Sequence, residues 1–365
     1  MTTPQSAARS RGVRCRSRRR GLGIVATTAV LWGVAVAAPS PAGAEPRTPP
    51  PSSGSSAARS EPQQHMYLPG PAVIDHIEPI TERWLRVYVS SPAMGRLVQV
   101  QVLLPADRST PRPTVYMLDG RNAEEGNNGW SQHGGAVGFF AEKNVNVVLT
   151  TGGAASYYTD WQHRDRVLGT NKWETFLTRE LPPLIDAHFD GNGRNAIEGT
   201  SMGAEAAMML ATRTPGLYKA VAAHSGCYLL STGFGQTQAR AIVQTWGGDP
   251  DNMFGRHDDP DWAAHDPTVN AAALRGTAIY LSTGSGLPGE HEVAGNPELH
   301  DAITVGGPLE SGTDACTRRF ADRLTQLSIP ATTNFRPTGT HSWPYWADEL
   351  HRSWPTITTA LTNKN

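Results

Sequence analysis

The stretch Asn195-Ala196-Ile197-Glu198-Gly199-Thr200-Ser201-Met202-Gly203-Ala204-Glu205-Ala206-Ala207-Met208 carries a short apolar run, a Gly-x-Ser-x-Gly step and then a series of helix formers. A serine caught between the end of a strand and the start of a helix is forced into a strained backbone conformation. The flanking glycines lack the Cβ atoms that would clash there, and the hydroxyl is raised at the carboxyl edge of the sheet. The helix that follows aims its first N–H groups at the same point, which favours negative charge on a substrate oxygen. Ser201 is therefore the candidate nucleophile, at a strand–turn–helix unit. The competing reading, a glycine-rich turn with an idle serine, does not account for the strand before the motif and the helix after it.

Apolar runs and helical patterns alternate on either side of this unit. Residues 85–89 and 97–104 read as strands around the turn Ser91-Pro92-Ala93-Met94-Gly95, and 114–118 and 145–150 as two more, with a helix-like segment at 138–143 between them. Residues 173–186 have helical spacing through Trp173, Phe176, Leu177, Leu181 and Leu184, although Pro182 and Pro183 argue against an unbent helix. Strands are expected at 195–198, 219–223 and 278–283, and helices at 202–212 and 314–327. Such alternation predicts an α/β fold with a mostly parallel central sheet and helices on both faces.

A nucleophilic serine needs a neutral imidazole, and a carboxylate to orient it. For a serine on this kind of elbow the chain order is serine, acid, histidine. His300, His341 and His351 come late enough to be considered. His341, in Gly339-Thr340-His341-Ser342-Trp343, falls in a loop after the last strand-like stretch and before a final helix, where the base belongs. His351 falls on that helix, and His300 would reverse the order. Position alone leaves the acid open among Glu290, Glu292, Asp301 and Glu310.

Composition narrows the partners. The chain has 365 residues, 38% hydrophobic and 18% charged, with a formal net charge of -1 and no dense basic patch after the first 44 residues. That is enough for one large core and argues against nucleic acid as a partner. Residues 1–44 read as an export signal. Arg9, Arg11, Arg14, Arg16 and Arg18-Arg19-Arg20 precede an apolar stretch, and Ala42-Gly43-Ala44 offers a small-x-small cleavage site. A Sec signal fits these features better than a twin-arginine one. Residues 45–64, with Pro-Pro-Pro-Ser-Ser-Gly-Ser-Ser, read as a flexible tether, and residues 65–365 as the folded domain. The expected location is secreted or at the cell envelope. Cys15 lies within the signal. Cys227 and Cys316 remain, and the helical stripe of Cys316, Phe320, Leu324 and Leu327 suggests that Cys316 is a buried free thiol.

With these residues in place, the chain resembles the secreted mycolyltransferases of the antigen 85 family and their esterase relatives. The resemblance rests on Ser91-Pro92-Ala93-Met94-Gly95-Arg96, Leu118-Asp119-Gly120, Gly129-Trp130, Ser156-Tyr157-Tyr158-Thr159-Asp160-Trp161 and Lys172-Trp173-Glu174-Thr175-Phe176-Leu177-Thr178. It continues through Ser201-Met202, Asp259-Pro260-Asp261-Trp262 and Gly339-Thr340-His341-Ser342-Trp343-Pro344-Tyr345-Trp346. It implies an α/β-hydrolase fold, a Ser201–Glu310–His341 triad, and an oxyanion hole built from the backbone N–H groups of Met202 and Arg121. Asp119, Ser342 and Trp343 match positions that contact sugar in the family, while Asn122 stands where a sugar-contacting arginine is expected and His133 where an asparagine is. Residues 288–308 form a longer loop than their counterpart.

The resemblance thus implies an acyltransferase or esterase that works through an acyl-enzyme, with no cofactor and no metal, on mycolyl or other long-chain acyl groups and trehalose or an envelope glycolipid. The second expectation is a carboxylesterase or diacylglycerol acyltransferase without trehalose specificity. The third is a fibronectin-binding protein, because residues 172–181 resemble a family segment linked to that activity. Amphipathic spacing explains the same segment as a helix packed into the core. His257-Asp258-Asp259 with His265-Asp266 meets no established metal-ligand spacing. Residues 230–266 are expected to shape the acyl groove.

Overall fold

Nine strands form one sheet in the order β1-β2-β3-β5-β4-β6-β7-β8-β9. They are β1 (Val73–Thr81), β2 (Trp84–Ser91), β3 (Arg96–Leu103), β4 (Arg112–Leu118), β5 (Asn146–Thr150), β6 (Gly191–Thr200), β7 (Tyr218–His224), β8 (Ala278–Thr283) and β9 (Thr332–Phe335). The computed structural model describes residues 70–363. The segments read as export signal and tether lie outside the described residues.

β1, β2 and β3 pair antiparallel, as do β3 and β5, and every pairing from β5 to β9 is parallel. Parallel strands covered on both faces read as continuous apolar runs, which is why 114–118, 145–150 and 219–223 were recognisable. β1 was not. It is a largely exposed edge strand with Asp75, His76, Glu78 and Pro79, and it shows no apolar alternation.

Among the described residues five helices run eight residues or longer. They are α1 (Leu181–His188), α2 (Met202–Arg213), α3 (Gly233–Thr245), α4 (Gly307–Gln326) and α5 (Trp343–Thr362). Successive residues of a strand face opposite ways, and β6 shows the consequence. Ile197 joins a core layer with Trp173, Phe176, Met208, Leu210 and Phe320, whereas Ala196 joins the layer on the other face with Trp130, Phe140, Trp346, Leu350 and Ile357. α2 is buried from Met202 to Thr212. Small residues such as Ala204, Ala206, Ala207 and Ala211 let it lie close against the sheet.

Three expectations need correction. The helix at 173–186 runs on to His188, but as a turn of α-helix, a π-helical stretch at Phe176–Glu180 and then α1, which has a proline in its first turn. A wide turn directly before Pro182 and Pro183 accommodates residues that cannot donate a backbone hydrogen bond. The helix expected at 314–327 is the end of a continuous helical run that opens at Leu299 and passes through a π-helical stretch at Ala302–Gly306 into α4, so Glu310 lies within the helix and not ahead of it. Gly306-Gly307-Pro308 reads as a breaker, yet the wide turn directly before Pro308 accommodates it as the one before Pro182 and Pro183 does. Finally, Cys316 is bonded to Cys227. The inward stripe that suggested a buried thiol is what turns Cys316 toward the segment after β7, 89 residues away in sequence.

In residues 172–181, Trp173, Phe176, Leu177 and Leu181 are completely buried. A partner docking on that segment would meet only its polar side chains. Residues 230–266, expected to shape the acyl groove, contain α3 and two short helices, Asp251–Phe254 and Asp261–Ala264.

Candidate active site

β6 ends at Thr200 and α2 begins at Met202, leaving Ser201 alone at the bend with φ 55° and ψ -126°. A non-glycine residue in this region is strained and persists only where its surroundings hold it. Here Ser201 N–H donates to the His224 carbonyl at the end of β7 (2.9 Å), and the Ser201 carbonyl accepts from Ala204 N–H (2.9 Å) and Glu205 N–H (3.2 Å). The two glycines of the motif act by absence. A Cβ on Gly199 would run into the carbonyl of Gly203, and one on Gly203 into the carbonyls of Leu118 and Asp119 at the end of β4.

The Ser201 hydroxyl lies 2.8 Å from His341 Nε2, and His341 Nδ1 lies 2.7 Å from Glu310 Oε2. The imidazole is otherwise fixed by its backbone N–H, which donates to the Gly306 carbonyl (3.2 Å), and by the Trp346 ring standing edge-on at 4.9 Å. Glu310 is completely buried. Its Oε1 accepts from Gly284 N–H (2.6 Å), Ser225 Oγ (2.8 Å) and Thr283 Oγ1 (3.2 Å), while Oε2 also accepts from Thr313 Oγ1 (3.3 Å). Burial of a carboxylate is costly unless its oxygens are hydrogen-bonded, and these oxygens are.

Of the other acid candidates, none meets the imidazole. Glu292 anchors the histidine loop instead: its oxygens accept from Thr340 Oγ1 (2.6 Å), Tyr345 Oη (2.6 Å) and Gly289 N–H (2.7 Å). Burial works against its charge, but these donated bonds outweigh it and hold the carboxyl below its ordinary value. Glu290 and Asp301 are exposed, as are His300 and His351.

The amides expected to receive an oxyanion flank the same point. Met202 opens α2, where the first N–H groups have no intrahelical acceptor. Gly120 faces the Ser201 side chain, and the next residue, Arg121, is tied to the loop after β5 by Ala155 N–H donating to its carbonyl (3.0 Å). The Arg121 side chain itself is exposed.

The positions matched to sugar contacts fare unevenly. Asp119 is buried, and its two oxygens accept from Gly120 N–H (2.8 Å) and Gly129 N–H (2.7 Å). It ties the loop after β4 to the turn at Gly129, and burial raises its pKa above the ordinary value. Trp343 packs edge-on against Trp130 and Trp346 and covers Gly129, where any Cβ would collide with its ring. His133 is exposed and tilted against Trp343 at 5.8 Å. Ser342 is the residue before α5, with its hydroxyl 3.3 Å from Thr340 Oγ1, and Asn122 is exposed.

Sequence reasoning missed a second acid–imidazole–hydroxyl set. Glu198 Oε1 meets His224 Nε2 (2.8 Å), and His224 Nδ1 meets Ser282 Oγ (2.7 Å), with Ser353 of α5 donating to the same glutamate oxygen (2.8 Å). All four are completely buried. The set closes the ends of β6, β7 and β8 and so fixes the carbonyl that holds Ser201. Its only sequence signal is polar residues at the carboxyl ends of otherwise apolar strands.

The histidines weighed as metal ligands take separate partners. His257 Nδ1 pairs with Gln236 Oε1 (2.7 Å), whereas His265 sits between Asp261 and Glu174. Among the described residues, Glu290, His291 and Asp348 offer ligand-type atoms within 4.8 Å of one another, and His291 Nε2 is already bonded to Asp348 Oδ2 at 2.9 Å.

Residues 91–357 match the family model described as "Putative esterase". The chain is 32% identical over 282 residues to the diacylglycerol acyltransferase/mycolyltransferase Ag85B of Mycobacterium intracellulare, covering 75% of this chain and 82% of that one. It is 32% identical over 286 residues to Ag85C of Mycobacterium leprae, covering 76% and 82%. Among solved structures it resembles MPT51 (FbpC1) of Mycobacterium tuberculosis with a TM-score of 0.63 and 27% identity, over 75% of this chain and 97% of that one.

Proposed function

Because the chain belongs to the esterase family and is a relative of the Ag85 acyltransferases, enzymes that move or release acyl groups, we propose that it is an exported acyltransferase acting through an acyl-serine at Ser201. The observation that carries this reading is the unbroken pair of short contacts from Ser201 Oγ to His341 Nε2 and from His341 Nδ1 to Glu310. Glu310 orients the imidazole with its Nδ1–H toward the carboxylate, so that Nε2 is free to take the Ser201 proton as the hydroxyl attacks an ester carbonyl. The tetrahedral oxyanion is received by the N–H groups of Met202 and Arg121. Each such donor is typically worth about 3 kcal/mol of transition-state stabilisation. His341 then returns the proton to the departing alcohol. In the second half the same base activates an acceptor hydroxyl, which attacks the acyl-serine and restores Ser201.

The acyl donor is a mycolyl or other long-chain ester, and the acceptor is trehalose or an envelope glycolipid. Kinship with the mycolyltransferases supports this choice, as do the aromatic rim at Trp343 and the rigid turn held by Asp119. A second reading, a carboxylesterase or diacylglycerol acyltransferase without sugar specificity, is favoured by Asn122 and His133 at two of the matched positions. Residues 1–44 are read as the export signal. Among the described residues no helix is long and apolar enough to cross a membrane.

Product analysis separates the two readings. With trehalose monomycolate, the first predicts transfer to a second sugar ester, giving trehalose dimycolate. Release of free fatty acid alone, with brisk turnover of a short-chain p-nitrophenyl ester, contradicts it and favours the second.

A further inference from the structure

Beyond β7 the chain makes a sharp turn that touches both halves of the proposed catalytic apparatus. Ser225 adopts φ 58°, a left-handed conformation that a side-chain-bearing residue rarely takes. Its N–H donates to the Ser282 carbonyl (2.8 Å), and its hydroxyl donates to Glu310 Oε1 (2.8 Å) while accepting from Trp346 Nε1 (3.1 Å). Trp346 is the ring that stands against His341. One hydroxyl therefore bridges the acid and the indole that confines the base.

The next two residues are fastened to the helix that carries the acid. Glu310, Thr313 and Thr317 share one face of α4 by their spacing of three and four. Thr317 Oγ1 donates to the Gly226 carbonyl (3.0 Å), and Cys316, beside it, is bonded to Cys227. The Cys227 N–H in turn donates to the Glu205 carboxyl (2.9 Å), in the first turn of α2, the helix that follows Ser201. Both cysteines are almost fully buried. The triad, the left-handed Ser225 and the disulfide thus form one connected piece of structure, although the cysteines take no part in the chemistry.

We propose that Ser225 is a positioning residue for Glu310, and that the Cys227–Cys316 disulfide is the clamp that holds it there. The inference rests on the triad reading given above. A hydrogen bond to a charged group is directional, so a small displacement of the turn lengthens the Ser225–Glu310 bond and lets the carboxylate swing relative to His341. A bond that serves only folding stability would not show in turnover. A bond that positions the acid shows in kcat, while KM stays put because no substrate contact is touched.

The test uses the full chain and a short-chain p-nitrophenyl ester, well below the unfolding temperature of each variant. Ser225→Gly is the informative substitution, since glycine relieves the strain of φ 58° while deleting the hydroxyl. It is expected to fold and to lose about tenfold in kcat with KM unchanged. The double variant Cys227→Ser/Cys316→Ser is expected to show a kcat loss of the same order. Parent kcat in Ser225→Gly, or parent kcat in a folded double variant, would overturn the proposal. Ser201→Ala run alongside distinguishes the two levels of failure. If it keeps its turnover, the triad reading falls and takes this inference with it; if it is dead while Ser225→Gly is fully active, only this inference falls.

Discussion

Ser201 and Glu205 sit four residues apart on one helical face and have opposite relations to water. The serine is held at the bend, partly exposed, with its hydroxyl on His341. The glutamate is buried, and burial pushes its carboxyl up to about 8 from an ordinary 4.5, against the bond donated by Cys227 N–H. The folded protein therefore keeps a proton that the unfolded chain releases between about pH 4.5 and 8. Because the folded state binds more protons in that window, its stability falls as pH rises through it, and the loss is complete above about 8. Glu205→Gln removes the titration while keeping an acceptor for Cys227. Urea unfolding at pH 5, 6, 7 and 8 is expected to show the parent losing stability relative to this variant with each step. A constant difference between the two would contradict the assignment.

The strand–turn–helix unit shows what was readable in the sequence at the scale of an element and what was not. Gly199 and Gly203 were recognisable because their spacing around a serine has a steric reason, and that reason is present as the close approach of α2 to the end of β4. Gly203→Ala is accordingly expected to destabilise the fold by about 1–3 kcal/mol, measured by thermal or denaturant unfolding. Turnover should drop as well, because the added methyl pushes the first turn of α2 away from β4. Full stability in this variant would mean that the elbow is looser than described. The helical run into α4 was misjudged because glycine and proline speak for a break unless a wide turn directly ahead of them takes up the missing bond. The disulfide was missed because a stripe on one helix says which way Cys316 points and nothing about what lies opposite. The roles of Glu292, Ser225 and the Glu198–His224–Ser282 set were also beyond reach, since each depends on contacts between elements far apart in the chain.

At the scale of the whole molecule, the parallel half of the sheet brings together residues that are 140 and 31 positions apart, at the carboxyl ends of β6, β8 and β9. The α/β architecture was legible because buried parallel strands advertise themselves as apolar runs between helical patterns. The antiparallel edge was only partly legible, since β1 faces solvent and carries no such pattern. The order serine, acid, histidine followed from topology, whereas the choice of Glu310 over Glu290, Glu292 and Asp301 came from the family resemblance. In the structure Glu310 alone of the four is bonded to His341, and Glu292 holds the loop on which His341 sits. Asn122 and His133, the two positions read as departures from the family pattern, are both exposed, and His133 lies against the half-buried Trp343.

The account stands or falls on a serine hydroxyl made reactive by His341. The most direct measurement is the rate and position of covalent labelling by a fluorophosphonate, read by intact-mass and peptide mass spectrometry on the parent protein and on His341→Ala. The expected result is one adduct on Ser201, forming at least about 10³-fold more slowly in the variant. An adduct on a different serine, or equal labelling rates in the two proteins, would contradict it.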